Sequence, residues 1–322
     1  MTAGIKAMPK RQAVKAKKKR GFLYELRVNR VLFLMLIPAA VYFILNNYLP
    51  IFGMYLAFTR FNFADGIFKS PFIGLENFRF LWESGKLVKL TINTIGYNLA
   101  FILIGNFMQI ASAILLSRLG CKIFKKITQS VMFLPYFVSY VILNVIVYNL
   151  FNYDLGFFNG ILHSLGQESY DFYNTPSIWP FILVILYIWK QIGYGTVIYL
   201  ATITGISPEL YEAAEIDGAN VFQQIRYITI PLLTPTFITL LLFSLGGIMK
   251  GQFDLFYQVI GNNGVLYDAT DILDTFVYRS LKQDFDVGMS TAAGVYQSIF
   301  GFIVIMVSNA LIKRNHPEQA LF

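Results

Sequence analysis

Tyr211-Glu212-Ala213-Ala214-Glu215-Ile216-Asp217-Gly218-Ala219-Asn220, running on through Ile225, Ile228 and Ile230 to Pro231, is a polar stretch wedged between two long apolar runs. A polar segment so flanked reads as a loop at a membrane surface that holds structure of its own. Ser207 is placed to cap a short helix, Pro208 fits its first position, and Glu209 lies in its first turn, where a carboxylate meets the positive end of the helix dipole. Gly218 supplies the stop. A second helix starts at Asn220, with Gln223 three residues on, and runs into the next apolar stretch. Leu210, Ala213 and Ala214 form a small-residue stripe at helical spacing between Glu212 and Glu215, a surface suited to a groove on a soluble partner.

Composition puts this loop on a membrane protein. The 322 residues are 56% hydrophobic and 14% charged, and the mean hydropathy of +0.56 is far too apolar for a soluble chain of this length. Net charge is +8, but the basic residues crowd into a tail over 1–30, from Lys6 and Lys10 through Lys17, Lys18, Lys19 and Arg20 to Arg30. Such a tail holds the N-terminus on the cytoplasmic side of a first span rather than forming a nucleic-acid face. No nucleic acid is expected as a partner. The single cysteine, Cys121, excludes an internal disulfide, and its neighbours Arg118, Lys122, Lys125 and Lys126 suggest a cytoplasmic, reducing loop. The basic region is too long for a cleavable signal peptide, so the first span is expected to serve as its own insertion signal.

Six apolar runs reach the roughly 20 residues needed to cross the hydrocarbon. They cover about 31–49, 92–116, 127–151, 178–204, 232–249 and 292–312, and the third contains Pro135. Between the first two, the mixed stretch Phe72 to Leu90 suggests an interfacial helix with Phe78, Leu81 and Trp82 on one side. Residues 152–176 carry Asp154, Glu168 and Asp171 without Lys or Arg, and 268–286 is also acidic, so both are expected outside. Basic termini and the basic second-to-third loop fall inside. The organisation expected is a cytoplasmic tail over 1–30, a transmembrane domain over 31–312 whose cytoplasmic loop covers about 205–231, and a cytoplasmic tail over 313–322. This is an all-α membrane protein.

Several chemistries lack their residues. Ser84-Gly85-Lys86-Leu87 is the nearest approach to a phosphate-binding loop and has neither the first glycine nor the hydroxyl. His163 and His316 sit in separate loops, and no Cys, His and carboxylate set has metal-ligand spacing. The chain is therefore not expected to be an enzyme, to hydrolyse ATP or to hold a cofactor or metal of its own.

Glu212-Ala213-Ala214, Asp217-Gly218-Ala219, Ile228, Ile230-Pro231 and Pro235 together resemble the EAA signature of permease subunits in binding-protein-dependent ABC importers. Ile225 and Ile230 stand where Phe and Leu are common in that family. The resemblance implies the type I importer permease fold, with the signature helix as a cytoplasmic coupling helix seated in an ATPase. It implies a bacterial inner-membrane location and several partners: a second homologous permease, two cytoplasmic ATPase subunits that carry the ATP and magnesium, an extracytoplasmic solute-binding protein and membrane lipids. On this pattern Glu212 is a polar anchor and Ala213 and Ala214 are the close-packing surface. Asp217 is a cap or partner contact, and Gly218 is a turn that no larger residue should fit. Transport would proceed by alternating access.

The whole chain further resembles the oligosaccharide and polysaccharide branch of these permeases, through Tyr48-Leu49-Pro50-Ile51-Phe52-Gly53, Ser70-Pro71-Phe72-Ile73-Gly74-Leu75-Glu76-Asn77-Phe78, Phe133-Leu134-Pro135, Asp274-Thr275-Phe276-Val277-Tyr278-Arg279 and Thr291-Ala292-Ala293-Gly294. The implied cargo is a glycan, with an alginate-type oligosaccharide among the candidates. Lys190 falls near the middle of the fourth span and Lys250 at the glycine-broken end of the fifth. An ammonium at that depth needs water or a counter-charge. With Gln191, Tyr194, Gln252 and Asp254 the two lysines could form a polar track for an anionic glycan; the alternative is a structural pair such as Lys250 with Asp254. Two other functions stay open: import of another solute class, such as a peptide or phosphorylated sugar, and an ATP-independent channel or scaffold.

Overall fold

The computed structural model describes residues 22–315 together with 317 and 320. The basic tail before residue 22 and His316 lie outside the described residues. The chain divides at Gly53 into two units. The first contains α1 (Phe22–Val28) and α2 (Arg30–Phe43), followed by a wide π turn over Ile44–Tyr48. Pro50 explains the widening, because its ring would clash with the carbonyl four residues back in a regular α-helix. The side chains of Asn46 and Asn47 donate back to the carbonyls of Tyr42 and Phe43 at 2.9 and 3.3 Å. A 3₁₀ helix, Leu49–Phe58, crosses the division, so the apolar stretch runs over Arg30–Phe58 rather than the expected 31–49.

The second unit opens with short elements, α3 (Gly66–Lys69) and α4 (Glu76–Glu83). α4 falls within the stretch where an interfacial helix is expected, is eight residues long, and turns Leu81 into the core while Trp82 is 64% exposed. At three and four residues from Phe78 the two flank one broad stripe, with Trp82 at its exposed edge. The long α5 (Lys86–Ser117) follows, then α6 (Lys122–Phe133), α7 (Tyr140–Phe151) and α8 (Phe157–Ser164). α9 (Trp179–Thr204) leads into α10 (Pro208–Ile216) and α11 (Val221–Gln224). A π turn over Ile225–Thr229, again just ahead of a proline, joins α11 to α12 (Ile230–Gly246). The chain ends in α13 (Phe253–Ile260), α14 (Tyr267–Thr270), α15 (Leu273–Lys282) and α16 (Val287–Asn315). Among the described residues there is no strand, only an isolated bridge between Thr59 and Phe72.

α5 and α9 form the most extensive helix pair. Small residues allow it: a methyl group on Gly195 would sit 2.1 Å from the Gln109 side chain of α5, and helices in lipid associate where small residues let them close up. Three apolar clusters stack along this pair. One gathers Tyr97, Phe101, Leu143, Trp179, Leu183 and Phe256, one joins Leu81, Leu90, Met249, Phe276 and Ala293, and one joins Ala113, Leu116, Tyr199, Ile203 and Leu233.

The expected third span, 127–151, is not a continuous helix. α6 and α7 meet at 96° across Leu134–Phe137, with Val138 and Ser139 extended. Pro135 and the fresh N-cap at Ser139, whose hydroxyl accepts from the Ile142 amide at 3.2 Å, account for the bend. The carbonyls freed at the break are taken by Lys190 of α9, whose ammonium donates to Tyr136 at 2.8 Å, to Pro135 at 3.4 Å and to Val138.

A second break separates α12 from α13, and amides serve it as the lysine serves the first. Asn98 of α5 donates to the carbonyls of Ile248 and Lys250 at 3.0 and 3.1 Å, and Gln297 of α16 donates to Met249 at 2.5 Å. The Gly251 amide donates to Asp274, which also accepts from Gln297 at 2.7 Å. Burial pushes the Asp274 carboxyl up from the ordinary carboxylate range, against the donors Gln297 and Gly251 and the charge of Lys250, which hold it down.

Two stability outcomes follow from these contacts. Asn98→Leu orphans buried carbonyls at about 1–3 kcal/mol each, so the thermal midpoint in detergent should fall clearly. Gly193→Val should do the same by about 1–3 kcal/mol, because a Cβ there would lie 2.1 Å from the Met132 carbonyl. Gly96→Ala, which meets no atom within 4 Å, should leave the midpoint unchanged or raise it; equal losses in all three variants would refute the packing argument.

Candidate functional site

One end of the second unit carries the basic α5–α6 connection and the 205–231 loop. Arg118 ties them together: its guanidinium donates to Gln224 Oε1 at 2.9 Å and lies 5.1 Å from the Tyr211 ring centroid. Gln224, itself buried, donates on to Glu215 at 3.4 Å, and the Tyr211 hydroxyl meets the Thr229 hydroxyl at 3.0 Å. α10 therefore stands on a polar footing drawn from α5 and the start of the α12 span. The opposite end gathers the acidic segments, where Lys89 pairs with Asp268 at 2.6 Å and Asn263 donates to the Tyr173 carbonyl at 3.0 Å.

The loop has the helix, glycine, helix form. Pro208 begins α10 and Asp217 is its C-cap residue. The Ala219 amide donates to the Ala214 carbonyl at 2.8 Å and the Gly218 amide to Glu215 at 3.0 Å. These are the paired bonds of a Schellman turn, with Gly218 at its left-handed position, φ +81°. Nothing lies within 4 Å of a Cβ added at Gly218, so the position demands glycine through its backbone angle and not through crowding. Asn220 then caps α11 in a full capping box with Gln223, at 3.0 and 2.7 Å. Ser207 sits at the N-cap of α10 but makes no side-chain cap bond.

Glu212, Ala213 and Asp217 are exposed and Ala214 is half-buried. Two side chains that the sequence reading passed over dominate the tip: Ile216 is 87% exposed and Phe222 83%. Leu210, also exposed, Glu212 and Asp217 belong to the same loop.

Between α5, α9, α12 and the second helix break lies a cavity of about 400 Å³. Gln191, Tyr194, Lys250 and Gln252, all named from sequence, line it together. Lys190 and Asp254 are not among its lining residues. Lys190 is taken up by the first helix break, and Asp254 is exposed in the first turn of α13 and forms no salt bridge with Lys250. The cavity gains Asn98, Asn106 and Gln109 from α5, whose signal in the sequence was three amides along one apolar run. Asn106 is oriented by the Tyr199 hydroxyl, which donates to its Oδ1 at 2.6 Å. Stacked Phe101 and Tyr187, 4.0 Å between centroids, add an aromatic wall. Amides, one ammonium and flat rings make a chamber that can take a hydroxyl-rich solute with a negative charge.

Residues 102–316 match the family described as binding-protein-dependent transport system inner membrane component. The chain is similar to the polygalacturonan/rhamnogalacturonan transport system permease protein YteP of Bacillus subtilis (strain 168), 31% identical with 94% of each chain covered. It superposes on a chain of a bacterial ABC transporter involved in the import of the acidic polysaccharide alginate, with a TM-score of 0.83, 28% identity, and 91% of this chain and 98% of that one covered. A second structure, of a bacterial alginate ABC transporter in complex with alginate pentasaccharide-bound periplasmic protein, gives a TM-score of 0.82 at 27% identity, covering 91% and 97%. The loop with its glycine turn, the interrupted spans and these likenesses lead to one assignment: the chain belongs to the binding-protein-dependent transport system inner membrane components, as a multi-pass ABC importer permease and not itself an enzyme.

Proposed function

We propose that this chain is the membrane permease subunit through which an ATP-driven importer moves an oligosaccharide or polysaccharide across the bacterial inner membrane by alternating access. The observation that carries the reading is the α10 peg: a glycine-ended helix with exposed Glu212, Ala213 and Ile216, fixed by Arg118 and Tyr211 to the spans. A peg so anchored passes a push from a soluble ATPase into the bundle without bending. ATP and magnesium belong to the two cytoplasmic ATPase subunits. The basic end then faces the cytoplasm, where both termini are also proposed to lie, and the acidic end receives cargo from an extracytoplasmic binding protein. A second homologous permease completes the pathway.

The proposed cargo is an acidic glycan. Relatives named for polygalacturonan and alginate transport supply the precedent, and Lys250 is the cation that lines the cavity. A charge-assisted hydrogen bond from Lys250 to a uronate contributes about 1.5–3 kcal/mol, enough to separate acidic from neutral chains roughly tenfold or more.

Both parts are testable in a reconstituted complex driven by glycan-loaded binding protein. Gly218→Val should insert normally but uncouple ATP hydrolysis from uptake, since a β-branched residue is held against a left-handed backbone at about 1–2 kcal/mol; normal uptake would count against the peg. Lys250→Gln should cut stimulation by an oligogalacturonide several-fold more than stimulation by a neutral oligosaccharide of equal length. Equal losses on both would remove the acidic preference.

A further inference from the structure

Lys190 lies fourteen residues before the end of α9 and is 6% exposed. Among the described residues no carboxylate pairs with it. Its charge is met instead by the carbonyls of Pro135, Tyr136 and Val138 and by two aromatic faces, Tyr140 at 4.9 Å and Tyr136 at 5.8 Å from the ammonium. Three acceptors use the three donors of an ammonium, and the end of a helix supplies partial negative charge where the lysine needs it.

Tyr194 follows Lys190 by four residues and so shares its face of α9. The lysine grips the backbone of the helix break, and the tyrosine meets the side chains of that same break. Tyr136 stacks on Tyr194 at 5.1 Å and 13°, and Phe133 packs against both rings, at 5.5 Å and 27° from Tyr136 and 6.4 Å and 27° from Tyr194. Phe137 closes the group, edge-on to Tyr136 at 5.7 Å. Tyr194 is the ring of this group that lines the cavity. Gly193 lets the two parts meet, because no Cβ fits between it and the Met132 carbonyl.

We infer that Lys190 is a positioning residue for cargo: by pinning the break at 134–139 it holds Tyr136 flat against Tyr194, and so fixes the angle at which the Tyr194 ring lines the cavity against a sugar ring. The inference rests on the glycan reading above. An apolar pyranose face packs well only on a ring held at one tilt, and a ring backed by a second parallel ring cannot turn away. Lys190 acts through Tyr136 and Tyr194 without touching the solute.

The test uses the assembled importer in nanodiscs, with a defined oligogalacturonide as probe and direct calorimetric titration in the absence of binding protein. Lys190→Met should weaken binding about fivefold or more in the folded fraction, Tyr136→Ala should weaken it comparably, and the double variant should be no weaker than the worse single one. Lys190→Arg should restore most of the affinity. A Lys190→Met complex that melts earlier but binds like wild type would reduce the lysine to a structural cap, and additive losses in the double variant would break the link through Tyr136. Hydrogen exchange over 134–139, measured without any glycan, should rise in Lys190→Met; unchanged exchange would overturn the pin whatever the cargo is. If exchange rises but the wild-type complex takes no oligogalacturonide, the glycan reading fails and the cargo role falls with it, while the pin stands.

Discussion

A backbone carbonyl freed inside a bilayer has no water to turn to, and this fold frees several. Its helices break twice, within the α6–α7 pair at 134–139 and between α12 and α13 at 247–252. Each interruption survives because a side chain from a neighbouring span donates into it: Lys190 at the first, Asn98 and Gln297 at the second. The polar residues of the bundle are thus spent first on architecture. Gln191, Lys250 and Gln252 line the cavity beside the breaks. Placing irregular backbone beside a chamber is how membrane transporters accommodate it.

The loop at the basic end solves the opposite problem. It stands outside the apolar layer, where water would satisfy its backbone in any conformation, yet its bonds are closed internally by a Schellman turn at Gly218 and a capping box at Asn220. Such saturation leaves little freedom to lose on docking. Arg118, Tyr211 and Gln224 extend the same stiffness downward into two spans.

Much of this was legible in the residues. The loop's glycine, the cap at Asn220 and the start of α11 followed from local chemistry, since each rests on neighbours within a few positions, while Ser207 makes no side-chain cap bond. Span number followed from apolar length, though boundaries moved: the fifth apolar helix begins at Val221, well before the expected 232, because the polar start of α11 continues without a stop. The break in the third span was only hinted at by Pro135. Whether a proline kinks a helix or ends it depends on a partner for the freed carbonyls, and that partner is 54 residues away in the chain at Lys190. The same distance hid the destination of Lys190 itself. Asn98, Asn106 and Gln109 went unnoticed because intramembrane amides carry no charge to flag them, although their spacing along α5 was visible. Ile216 and Phe222 drew no notice because only the fold shows that they stand bare.

The close seat of Gly193 and Gly195 has a mechanical corollary. α9 spans 26 residues, roughly 39 Å at 1.5 Å per residue, and is gripped near its middle, where Gly193 abuts the Met132 carbonyl and Gly195 abuts Gln109. A rod held there works as a lever on a fulcrum. A swing of ~5° about that point shifts each end by only about 1.5–2 Å, small at the tip that carries α10 and equally small at the far rim, but opposite in direction. One end closing as the other opens is the reciprocity that any two-gated passage needs.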